Sequence, residues 1–136
     1  MGKRLHEESL FRDMEYSEDA VTALGHVARE DTEHYFLHVI VDVEQEVPVG
    51  MLLAMLTPTY FGGDRIANDL LLMIEPAHRG HCGSALKEIT SRYRNWGFHK
   101  GAKRVYLAST TGIEPERTRD IYEVCGFHQV GTIHEA

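Results

Sequence analysis

Ala67-Asn-Asp-Leu-Leu-Leu-Met-Ile-Glu-Pro-Ala-His-Arg-Gly-His-Cys-Gly-Ser84 is the stretch on which the architecture turns. Its first eight residues, Ala67 to Ile74, are a near-continuous apolar run, the texture of a strand buried on both faces. Pro76 and Gly80 then punctuate a short turn. From about Cys82 to Gly97 the apolar positions Leu86, Ile89, Tyr93 and Trp96 form one stripe at helical spacing. A buried strand, a glycine-bearing turn and a helix, in that order, make an anion site. The free N–H groups of the first helical turn point into the loop, and the helix dipole adds partial positive charge. Gly80 and Gly83 remove side chains where the backbone must approach a ligand, and Arg79 can add a charge-assisted contact to a phosphate oxygen. Taken alone, the pattern fits equally well an ordinary strand–turn–helix connection whose glycines serve turn geometry.

Upstream, Tyr35-Phe-Leu-His-Val-Ile-Val-Asp-Val43 is rich in β-branched and aromatic residues and reads as a strand. Residues 44–48 supply a turn, and Val49 to Leu56 reads as the second arm of an antiparallel hairpin. Pro58 to Arg65, with Gly62-Gly63, reads as a loop. Ser17 caps a helix that has Glu18 and Asp19 in its first turn; Val21, Leu24 and Val27 follow at helical spacing, to about Arg29. Leu5, Leu10, Phe11 and Met14 lie in a preceding, poorly patterned helix. Downstream, Ala102 to Ala108 reads as a strand. Glu114 to Cys125 reads as a helix, with Pro115 in its first turn and Gly126 at its C-terminal cap. Phe127 to Ile133 reads as a closing strand. The order is helix, helix, β-β-β-α-β-α-β, a single α/β domain over residues 1–136.

The bulk properties agree with that class. A chain of 136 residues with 43% hydrophobic and 26% charged content is ordinary for one soluble globular domain. A formal net charge of −7 argues against broad nucleic-acid binding, which needs clustered Lys and Arg. The same charge favours a cationic acceptor, such as an amine, by long-range attraction. No run is long enough to cross a bilayer, and Met1 to Phe11 lacks the apolar core of a signal peptide, so no membrane role and a cytoplasmic location are expected. Two cysteines, Cys82 and Cys125, suggest no disulfide framework.

Two stretches, Ile74-Glu75-Pro76-Ala77-His78-Arg79-Gly80 and Ile121-Tyr122-Glu123-Val124-Cys125-Gly126-Phe127, together resemble the signatures of the GNAT superfamily of N-acetyltransferases. That family carries a strand, then Pro-x-x-Arg-Gly, small residues and a helix, which Ile74-Glu75-Pro76-Ala77-His78-Arg79-Gly80 matches. The usual second glycine is replaced here and the loop is one residue short. Short phage-type members carry a compressed Arg-Gly-Gly-x-Gly version, which Arg79-Gly80-His81-Cys82-Gly83 resembles. The second signature, a helix with Leu/Ile-Tyr-Glu and then Gly-Phe, is reproduced by Ile121-Tyr122-Glu123-Val124-Cys125-Gly126-Phe127. The family's asparagine seven residues before the tyrosine is Pro115 here, which cannot supply that side-chain hydrogen bond.

The resemblance implies a mostly antiparallel, twisted mixed sheet flanked by helices, in a minimal version without a clear first strand. It implies acetyl-coenzyme A as acyl donor, held by Arg79, Gly80, His81, Cys82, Gly83 and Ser84. A bulge splaying the strand from its neighbour would let the backbone of Met73 and Ile74 pair with the pantetheine arm. Tyr122 is then the general acid to the departing thiolate, since a phenol stays protonated at neutral pH. An acid on the strand before the loop is the candidate base. Alternation places Asp69 on the face of Leu71 and Met73, where partial burial would raise its pKa; a solvated place at the strand's start is the alternative. Glu75 at the turn reads as solvated, and His38 and His128 are substitutes on other strands. The acceptor is an amine on a small molecule or a protein, and a homodimer could complete the sheet.

Three other readings compete. A GNAT-like fold with an altered loop could act as a binding or regulatory protein. His78-x-x-His81-Cys82 and Cys125-x-x-His128 contain metal-ligand residue types but lack paired Cys-x-x-Cys elements, so no metal is expected. Cys82 near a helix N-terminus could be a reactive thiolate; it is read here as a small loop residue.

Overall fold

In the computed structural model, which describes residues 1–136, the chain runs α1 (Gly2–Glu8), α2 (Glu18–Glu30), β1 (Tyr35–Asp42), β2 (Val47–Pro58), β3 (Arg65–Ile74), α3 (Gly83–His99), β4 (Ala102–Tyr106) and α4 (Pro115–Val124). A 3-10 turn, Pro76–His78, separates β3 from the loop that leads into α3. The sheet order is β1-β2-β3-β4. The first three strands are antiparallel neighbours, whereas β4 is parallel to β3, a pairing that needs the crossover which α3 supplies. This is the mixed α/β architecture that the sequence implies, with no strand before Tyr35.

One face of the sheet meets α3. Phe36, Leu52, Ala54, Leu56 and Ala67 cluster with Leu86, Ile89 and Tyr93 of the helix stripe. Thr90 is fully buried among them and satisfies its hydroxyl on the Leu86 carbonyl at 2.8 Å, as a polar group inside a core must. Trp96, at the end of the stripe, is half-buried and donates from its indole N–H to the Thr32 carbonyl at 3.4 Å. Ser17 caps α2 through the Ala20 N–H.

β3 is not regular. Against β2, Leu53 pairs with Leu71 but Ala54 pairs with Asp69, so Leu70 is an extra residue. Such a bulge resets the alternation of faces. Leu52 and Ala54 share a face, so their partners Leu72 and Asp69 share it too. Asp69 therefore lies on the α3 face with Leu72 and Ile74, not with Leu71 and Met73 as regular alternation predicts.

Two segments differ from the sequence reading. Residues 127–136 form no strand. Phe127 packs against the core, but Val130 and Ile133 stay exposed. An odd spacing puts those two on opposite faces of an extended chain, so neither face is consistently apolar. At the other end, α1 stops at Glu8 instead of continuing to Met14. The Ser9 hydroxyl donates to the His6 carbonyl at 3.0 Å and accepts from the Phe11 N–H at 3.1 Å. Such local bonds compete with the helical ladder and turn the chain away.

Candidate active site

The β3–β4 ladder ends at Asn68 and Tyr106, immediately before the bulge at Leu70. The Tyr93 hydroxyl donates to the Tyr106 carbonyl at 2.9 Å, giving that group a partner where the ladder stops. Beyond this point the strands part and a cavity of about 1140 Å³ opens. Its wall includes β3 from Asp69 to Ile74, the loop residues Arg79, Gly80, Cys82, Gly83 and Ser84, the stretch Ala108 to Thr111, and Ile121 and Tyr122 of α4. The N-terminal segment forms the remaining side. Met73 and Ile74, expected to offer backbone groups, are thus on the stretch of β3 that has no strand on its β4 side.

Asp69 and Tyr122 meet at one residue. The Ala108 N–H donates to Asp69 Oδ1 at 2.8 Å, and the Tyr122 hydroxyl donates to the Ala108 carbonyl at 3.1 Å. Burial pushes the Asp69 carboxyl up to about 6, opposed in part by the Ala108 N–H. Burial, with the nearby Asp69 carboxylate and then Cys125, holds the Tyr122 phenol above its usual range. The pair therefore combines a carboxyl that is mostly ionised at neutral pH with a phenol that stays protonated.

The loop is open at the helix terminus. Gly80 adopts φ +94°, a conformation that a side chain strains. Cys82 is the N-cap of α3 and makes no side-chain cap, so the N–H groups of Gly83, Ser84 and Ala85 lack intrahelical partners. His81 is exposed and is not part of the cavity wall.

Arg79 is engaged elsewhere. Its Nε donates to the Ile74 carbonyl at 3.1 Å, and its two terminal nitrogens grip Glu8 at 2.7 and 2.6 Å. Those hydrogen bonds hold the Glu8 carboxyl below the usual carboxylate range. Glu75 is buried, not solvated, and accepts from Arg4 Nη1 at 3.0 Å. α1 is thus fastened to the loop by two ion pairs of opposite polarity.

A cation the sequence did not single out is Arg117 on α4. Its Nη2 lies 3.4 Å from where a Cβ on Gly80 would stand, and its ion pair is with Glu114 at 3.2 Å. Nothing in the local sequence marks it, because its reach over the loop depends on how α4 packs.

The substitute bases fall away from the site. His38 lies on β1, stacked on Phe36 at 4.3 Å, and His128 is in the exposed tail; neither lines the cavity. Both cysteines are free, and no group of three or more His, Cys, Asp or Glu side chains is arranged to hold a metal ion.

No protein-family model matches the sequence, and no curated protein matches it either. Solved structures do. A glucosamine-6-phosphate N-acetyltransferase from Arabidopsis thaliana superposes with TM-score 0.69 at 12% identity, over 98% of this chain and 90% of that one. AAC(6')-Iy, in complex with the bisubstrate analogue CoA-S-monomethyl-acetylneamine, gives TM-score 0.71 at 16% identity, over 99% and 87%. The aminoglycoside antibiotic 6'-N-acetyltransferase AAC(6')-Ih from Acinetobacter baumannii gives 0.67 at 12%, over 98% and 86%. What the chain shares with them is the fold.

Proposed function

We propose that this chain, built on the GNAT acetyltransferase fold, moves an acetyl group from acetyl-coenzyme A directly to an amine. The observation that carries the reading is the meeting of Asp69 and Tyr122 on the two backbone groups of Ala108, where β3 and β4 part. The pyrophosphate sits on the N–H groups at the start of α3, with Arg117 reaching over Gly80. The pantetheine arm, being pseudo-peptidic, lies along the unpaired side of β3 beside Met73 and Ile74.

Asp69 takes a proton from the acceptor ammonium, directly or through a water. The neutral nitrogen attacks the thioester carbonyl, and the C–S bond breaks as the tetrahedral intermediate collapses. The thiolate receives its proton from the Tyr122 hydroxyl, which turns from the Ala108 carbonyl to do so. The nitrogen, cationic after attack, gives its second proton through water to the Tyr122 phenolate, and Asp69 releases its own to solvent, leaving the acetylated amine and the coenzyme A thiol. Two groups with pKa values held apart suit this division between base and acid.

Titration with acetyl-coenzyme A by calorimetry tests the reading first. Absence of binding at millimolar concentration would overturn it. Given binding, Tyr122→Phe lowers turnover about 100-fold while the Kd for acetyl-coenzyme A stays nearly constant. The engagement of Arg79 by Glu8 favours one other reading, a GNAT-like binding protein without catalysis. Its signature is acetyl-coenzyme A bound only weakly, with no acetylation of any amine in a free-thiol screen.

A further inference from the structure

The N-terminal segment gives the cleft a wall unlike its phosphate end. The Leu10 N–H donates to the Thr111 carbonyl at 2.9 Å. The Leu10 side chain lies so close over Gly112 that a Cβ there would stand 2.5 Å from Leu10 Cγ. Two residues earlier, Glu8 is held on Arg79. The chain therefore straps across the cleft, from the phosphate loop to the β4–α4 connection. It then returns to α2 through Phe11, Met14 and Tyr16, which line the cavity together with Val21. From the opposite side comes Leu70, the bulged residue beside Asp69.

Phe11, Met14, Val21 and Leu70 are 41%, 63%, 44% and 45% exposed. Apolar side chains left open around one mouth mark a binding site more often than an ordinary surface. Charge points the same way. Of the four carboxylates in the wall, Glu114 is paired with Arg117 and Asp120 with Arg119. That leaves Glu15 and Asp69. A polycation entering here would lose water from several ammonium groups with few carboxylates to replace it.

We infer that the acceptor is a primary amine on an apolar or aromatic body. That body seats against Phe11, Met14, Val21 and Leu70, with the nitrogen turned to Asp69. This rests on the acetyl-transfer reading and narrows it. The apolar wall also serves the chemistry, because a desolvated ammonium gives up its proton more readily and the neutral form is the nucleophile.

The experiment compares 2-phenylethylamine, spermidine and kanamycin as acceptors at saturating acetyl-coenzyme A, with free thiol as readout. In parallel, amide NMR shifts follow 2-phenylethylamine binding without acetyl-coenzyme A. The expected result is a kcat/KM for 2-phenylethylamine at least about tenfold above either polycation, with shifts at Leu70 and Val21. Leu70→Glu is expected to reverse that order. Met14→Glu, at an exposed strap position that folding tolerates, should shrink it. A faster rate with spermidine or kanamycin, or an unchanged preference in Met14→Glu, overturns the inference while intact acetyl-coenzyme A binding keeps the acetyl-transfer reading. Amine shifts at Leu70 without any acetyl-coenzyme A binding do the reverse: they retain the amine site and remove acetyl transfer.

Discussion

Asp69 is the residue whose environment makes the sharpest claims. Its folded pKa of about 6 lies above the ordinary 3.8. The folded state therefore holds the proton more tightly than the unfolded chain. Stability falls as pH rises between those values, and the full cost of about 3 kcal/mol is present above pH 6. Asp69→Asn removes that titration, and its Oδ1 can still accept the Ala108 N–H. The variant should match the wild type near pH 3.5 and exceed it in thermal midpoint at pH 8, a divergence that a pH series of melting curves detects. In catalysis the order is opposite: kcat/KM for acetyl transfer should rise through pH 6 in the wild type. That limb should vanish in Asp69→Asn, along with most of the activity. At Tyr122 the loss of its bond to the Ala108 carbonyl adds about 1 kcal/mol of destabilisation in Tyr122→Phe. That is small beside the expected kinetic effect.

At the scale of elements, the loop into α3 carries the cofactor claim. Gly80→Ala forces a side chain into φ +94°, at a cost of about 1–3 kcal/mol. It should weaken acetyl-coenzyme A binding in calorimetry by tenfold or more, with the α3 helix content unchanged. Arg117→Ala should weaken binding as well, and more so at low salt, where an exposed cation counts most. Much of this was legible in the sequence. The strand–turn–helix order, the α3 stripe and the Tyr122 motif are local patterns, and local patterns survive in a string of letters. The resemblance implied a bulge on this strand, but its place at Leu70 was not legible, because pairing between two strands sets it. It moved Asp69 to the other face while leaving it a base candidate. Glu75 and Arg79 read as solvated and as phosphate-directed, yet each is engaged by α1. Their partners lie some 70 positions away, beyond any periodicity. The absent last strand misled for a simpler reason: Phe127 to Ile133 has strand-like residues but no single apolar face.

Over the whole molecule, the sheet ends on an open edge. β4 has no neighbour on its outer side, and such an edge is a template for pairing with another chain. A homodimer that completes the sheet there predicts a light-scattering mass of twice 15.5 kDa; a monomeric mass dismisses it. No helix is long and apolar enough to cross a membrane. The strap has a consequence in time as well as in space. Its three fastenings join Glu8 to Arg79, Arg4 to Glu75 and Leu10 to Thr111. Arg4 and Glu8 therefore wait for partners made 71 positions later, and Leu10 for Thr111, later still. Closing so wide a loop is entropically late. The sheet and α3 can assemble first, and the mouth of the cleft is the last surface to take shape. A nascent chain halted before Thr111 could fasten α1 to Glu75 and Arg79, yet the strap beyond Glu8 would hang loose.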